Sequence, residues 1–86
     1  MGNKSITKDE LYLVKLYDLA QKLGDTFAEV DRYAVGESIG QNPKSVDNIV
    51  RMLAQTNFVK KGDGDAIFLT FQGENYVGTL KESLKK

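Results

Sequence analysis

Apolar residues recur at helical spacing near the start, through the middle and at the end of the chain, and a strand-like pattern lies between the last two of these stretches. The first helix has a clear start, because Thr7-Lys8-Asp9-Glu10 is a capping box in which the Thr7 hydroxyl and the Glu10 carboxylate each satisfy the other's backbone amide. It is predicted to run to Leu23 and stop at Gly24, which can take the left-handed conformation favoured at helix ends. Tyr12, Leu13, Leu16, Tyr17, Leu19, Ala20 and Leu23 fill an apolar arc of roughly 160°, widened by Leu11 and Val14, and Lys15, Asp18 and Lys22 form a narrow polar stripe. So wide an arc has two open uses. One is burial in the chain's own core; the other is a dimer contact through Leu13, Leu16 and Tyr17, joined by Leu80 and Leu84 of the last helix.

After a loop at Gly24-Asp25-Thr26, residues 27–30 alternate weakly and predict a short strand or an extended approach. Asp31 can then cap a helix over 32–39. Gly36 inside it costs about 1 kcal/mol relative to alanine, which implies close approach by another helix. Gly40-Gln41-Asn42-Pro43 predicts a tight turn: Gly40 can adopt positive φ, Asn42 can cap, and Pro43 suits a first helical position. The helix that follows, over about 43–56, buries Val46, Ile49, Val50 and Leu53 and leaves Lys44, Ser45, Asp47, Asn48, Arg51 and Gln55 outside. Asn57 tolerates the left-handed region. Residues 58–70 then predict a β-hairpin with Asp63-Gly64 in a type I′ turn, before a last helix whose apolar face is Tyr76, Val77, Leu80 and Leu84.

With 86 residues, 41% of them apolar, the chain builds one small core and one domain spanning 1–86, of which residues 1–6 are expected to be flexible. Absence of Cys and His excludes disulfides, thiolate and imidazole catalysis, and zinc sites built on those ligands. Nucleophile motifs, phosphate loops and acid clusters with a nearby base are missing, so neither an enzyme nor a cofactor or metal site is expected. With no secretory-type apolar run and no membrane-spanning stretch, a cytoplasmic location away from membranes is expected. Net charge is zero but unevenly spread: residues 1–41 carry −2, residues 42–61 carry +3 and residues 62–86 carry −1, which puts the positive surplus on the third helix and the first hairpin strand.

The order helix, tight turn, helix and hairpin resembles a winged helix-turn-helix, of the kind found in MarR-like and related small regulators. The resemblance is carried by Gly36…Ile39-Gly40, Val46…Val50…Leu53, Asn57-Phe58-Val59 and Leu69-Thr70…Gly73. It implies a mostly α fold with a small antiparallel hairpin, in the order helix, short strand, helix, helix, two-stranded wing, helix. It also implies a transcriptional regulator that binds double-stranded DNA sequence-specifically, with the helix at 43–56 in the major groove and a homodimer on a two-fold operator. The expected DNA-binding residues are then Gln41, Asn42, Lys44, Ser45, Asn48 and Arg51, with Lys60 and Lys61 at the wing's base. Asp47 opposes that surface unless it accepts from a cytosine amine or pairs with Arg51, and Asp63 and Asp65 put like charge opposite phosphates at the wing tip. Neutral charge and that acidic tip leave open a second class of function, a winged-helix module that holds another protein. Nothing in the sequence assigns an effector ligand.

Overall fold

The computed structural model describes residues 6–84, with side chains as far as 82. The flexibility expected of 1–6 therefore lies outside the described residues, apart from Ile6, which is half-buried. The chain folds as α1 (Lys8–Lys22), β1 (Val30–Asp31), α2 (Arg32–Ser38), α3 (Pro43–Gln55), β2 (Val59–Lys61), β3 (Ala66–Leu69) and α4 (Phe71–Leu84). Four helices thus accompany one three-stranded antiparallel sheet of order β1-β3-β2, registered Val30 to Ile67 and Val59 to Leu69. Among the described residues no helix is long and apolar enough to cross a membrane.

Helix starts follow the local chemistry. Thr7 Oγ1 accepts from the Glu10 amide at 3.1 Å and Glu10 Oε1 from the Thr7 amide at 3.0 Å. Asp31 caps α2 through the Tyr33 amide, and Asn42 caps α3 through the Ser45 amide, both at 2.9 Å. The turn between α2 and α3 is set by Gly40 at φ +75°, and the turn after α3 by Asn57 at φ +66°. Gly36 is fixed by packing: a Cβ there would collide with Val46 Cγ2 of α3. Thr70 Oγ1 accepts from the Gly73 amide at 3.0 Å and donates to Asn57 O at 2.6 Å, so one side chain starts α4 and ties it to the end of α3. Gly73 itself lies so close to the Phe58 carbonyl that no Cβ fits.

Three sequence expectations are corrected. The proposed dimer residues Leu13 and Leu16 are 0% exposed; α1 runs through the centre of the molecule, packed by α2, α3, α4 and the sheet, so their face is already covered by the chain itself. Tyr17 and Leu80 are half-buried by the same α1 and α4 packing, with Lys81 Nζ 4.8 Å from the Tyr17 ring centre, and the side chain of Leu84 lies outside the described residues. The first strand begins at Val30, not at 27, because Asp25 turns the chain with its carboxylate on the Phe27 amide (2.9 Å) and its carbonyl on the Ala28 amide (2.9 Å). The hairpin is not closed by a type I′ turn on Asp63-Gly64, which needs positive φ at both residues: only Gly64 has it, at +56°. The loop instead closes with the Ala66 amide on Asp63 O and the Gly62 amide on Ala66 O.

Candidate functional site

One side of α3 seats Val46, Ile49, Val50 and Leu53 in the core, so the opposite side must face outward. Lys44, Asp47, Asn48, Arg51 and Gln55, at spacings of 0, 3, 4, 7 and 11, form a continuous exposed stripe along a helix about 20 Å long. Asn42 is exposed at its head, with its carbonyl oxygen occupied by the cap. Ser45 is half-buried behind the stripe. Gln41 is half-buried as well, in a groove with Tyr33, Glu37 and Pro43.

Strand register separates the two hairpin lysines. Lys61 pairs with Ile67 on the face that carries the buried Val59 and Leu69, whereas Lys60 pairs with Phe68 on the other. Lys61 accordingly joins Arg51 in a groove of about 310 Å³ between α3 and β2, completed by Arg32, Asp47, Val50 and Ala54. Of the eight residues expected to bind, Lys44, Asn48, Arg51 and Lys61 are exposed around this one surface, Asn42 and Ser45 serve the start of α3, Gln41 lies in the separate groove beside α2, and Lys60 points to the opposite face of the sheet.

Arg32 carries the site's electrostatics and was not singled out by sequence. It is 8% exposed, its amide and Nε both donate to Asp65 O (3.1 and 3.0 Å), and its carbonyl accepts from the Tyr12 hydroxyl at 2.8 Å. Its Nη1 lies 3.8 Å from Asp47 Oδ1, which also accepts from the Tyr33 hydroxyl at 2.8 Å. Asp47 is thus engaged by Arg32 and Tyr33, not by Arg51 as the four-residue spacing suggested. This leaves the Arg51 guanidinium without an acidic partner on its own helix. The Asp47 hydrogen bond raises the Tyr33 phenol above its ordinary value, burial raises that of Tyr12, and a 2.6 Å bond to Glu10 Oε2 raises that of Tyr76. No local spacing signals the Arg32 contacts, since its partners Asp47, Tyr12 and Asp65 lie 15, 20 and 33 residues away.

The hairpin tip has the opposite sign. Asp63 and Asp65 are exposed there, and Glu29 adds a third carboxylate, its Oε1 accepting from the Asp63 amide at 3.3 Å. Among the described residues no group of three or more His, Cys, Asp or Glu is placed to hold a metal ion. A second, apolar groove opens at the far end of α3, where the half-exposed Met52 meets Phe58 and Tyr76, whose rings stack at 4.8 Å. Comparison with family models, with curated proteins and with solved structures returned no match.

Proposed function

We propose that the chain is a winged helix-turn-helix protein that binds double-stranded DNA as a small transcriptional regulator, with α3 in the major groove and the β2–β3 hairpin as its wing. The observation that carries this reading is the unobstructed stripe of α3, flanked by a groove in which Arg51 and Lys61 meet while the neighbouring Asp47 is already partnered. A helix presenting Lys44, Asn48 and Arg51 along one side offers donors for phosphates at its start and for base edges further along. Lys61 supplies a contact to the flanking backbone. The acidic tip keeps the wing out of the minor groove, so the hairpin contributes at its base and not at its end. Regulators of this type act as homodimers on two-fold sites; any such pairing here uses a surface other than Leu13 and Leu16, which are in the core.

Anisotropy of a labelled mixed-sequence duplex, titrated at low and moderate salt, tests the reading. Binding should weaken with a log-log slope of about 0.9 per neutralised phosphate. No binding at micromolar protein in low salt would reject it. A second reading, a module that holds another protein, draws on two observations: the carboxylates at the hairpin tip, and Met52, 53% exposed beside the apolar groove. Failure of every duplex to bind would favour it.

A further inference from the structure

Asp47 is the only acidic residue on α3, and it sits in the middle of the exposed stripe. On a solvated helix face a half-exposed aspartate turns freely among its rotamers. This one is tethered: both of its contacts, the Tyr33 hydroxyl at 2.8 Å and Arg32 Nη1 at 3.8 Å, fall on Oδ1. Arg32 is itself buried, its Nε held by Asp65 O at 3.0 Å and its backbone amide donating to the same carbonyl. No hydrogen bond among the described residues ends on Oδ2, and half of the side chain is exposed.

A carboxylate only accepts hydrogen bonds, and the phosphate backbone has no donor to offer it. In the major groove the donors are the cytosine N4 and adenine N6 amines, and Asp is matched to cytosine. Asparagine, which donates and accepts, is matched instead to adenine, and Asn48 stands next in sequence. We infer that Asp47 is the specificity-determining residue of this surface, accepting through Oδ2 from the N4 amine of a cytosine, and that Tyr33 and Arg32 are the residues that position it. The inference rests on the DNA reading above and adds a base identity to it. Four residues separate Asp47 from Arg51, about 6 Å along the helix, so the C·G pair lies within about two base-pair steps of the pair beneath Arg51. The same negative charge repels phosphates wherever that amine is missing, which lowers binding to wrong sequences and widens the gap between right and wrong sites.

The test is selection from a randomised duplex library, followed by titration of the selected duplex and its single-pair variants. It uses the wild-type chain, Asp47→Asn, Asp47→Ala and Tyr33→Phe, each checked for cooperative melting. Wild type should select a C·G pair at one position and lose about fivefold or more in affinity when it becomes T·A. Asp47→Asn, which keeps the side chain's shape but replaces the free accepting oxygen with a donor, should lose the preference for cytosine at that position. Asp47→Ala should erase it, and Tyr33→Phe should shrink it while keeping cytosine favoured. An unchanged base preference in Asp47→Ala overturns the assignment and leaves DNA binding standing. Undiminished preference in Tyr33→Phe overturns the positioning role of that residue. Recovery of no duplex by wild type removes the DNA reading, and this inference with it.

Discussion

Two helices of similar length, α1 with 15 residues and α3 with 13, both alternate apolar and polar faces, yet the fold uses them in opposite ways. α1 lies at the centre, against α2, α3, α4, β1 and β3, with Tyr12, Leu13, Leu16 and Ala20 fully buried and most of its other side chains half-buried. Two of its acidic side chains are engaged as well: Asp18 takes Lys81 Nζ at 2.7 Å, and Glu10 takes the Tyr76 hydroxyl. α3 is packed along one side by α2, β2 and α1, and its outer stripe is exposed, with Asp47 alone held from α2 by Tyr33 and Arg32. The broad apolar arc of α1 is what a central helix needs. The narrow arc of α3 is what a helix needs when its other side is left for a ligand. A helix's availability is therefore set by how many neighbours its apolar arc recruits, and the narrower arc leaves the wider exposed side.

The contrast breaks most visibly at Leu16. Leu16→Lys places an unpaired cation where exposure is 0% and should cost several kcal/mol of the about 5–15 kcal/mol that holds a domain together, abolishing cooperative thermal unfolding. A chain that still melts cooperatively would show that the α1 face is not core. Next in size is the seam joining α3 to the rest. Gly36→Ala forces Val46 aside and should lower stability by about 1–3 kcal/mol in urea unfolding, while Gly78→Ala on α4, which meets nothing within 4 Å, should raise it by up to about 1 kcal/mol. Equal effects at the two glycines would contradict the close α2–α3 contact.

Smaller in stability is Arg51→Ala, expected within about 0.5 kcal/mol of wild type because the residue is exposed, although it should weaken DNA binding by about 1–3 kcal/mol. Unchanged affinity would take Arg51 out of the surface. The gentlest effect is on pH. Tyr12, Tyr33 and Tyr76 all have raised phenol values, so the fold favours their neutral forms. Their contribution is complete below the ordinary value near 10 and is lost as pH rises through the raised values. With no histidine to titrate, the urea midpoint should be level from about pH 6 to 9 and decline above about 10. A midpoint that is flat well beyond pH 11 would remove those hydroxyl bonds from the account.

Local chemistry made much of this legible. The caps at Thr7, Asp31 and Asn42 and the left-handed Gly40 and Asn57 each involve residues a few positions apart, or a backbone preference of one residue type, and the tight seat of Gly36 is signalled by a helix-disfavouring residue inside a helix. The α3 stripe was legible for the same reason. What was not legible depends on distant partners. A helical wheel gives the width of the α1 arc but not whether α4, some fifty residues on, or a second chain will cover it. Spacing allows Asp47 either to pair with Arg51 or to face a cytosine amine, and gives no sign that Tyr33 and Arg32 reach it from α2. The hairpin loop departs from a type I′ turn because Asp63-Gly64 permits one without requiring it, and Arg32 draws the Asp65 carbonyl into bonds that help set the loop's shape.

The proposed working surface is the outer side of α3, and not α1 or the hairpin tip. Amide chemical shifts of the isotope-labelled protein, followed as a duplex carrying its selected sequence is added, address that claim residue by residue. Large changes are expected at Lys44, Asp47, Asn48, Arg51 and Lys61, with α1 and α4 unmoved. Changes confined to Asp63 and Asp65, or spread along α1, would contradict it.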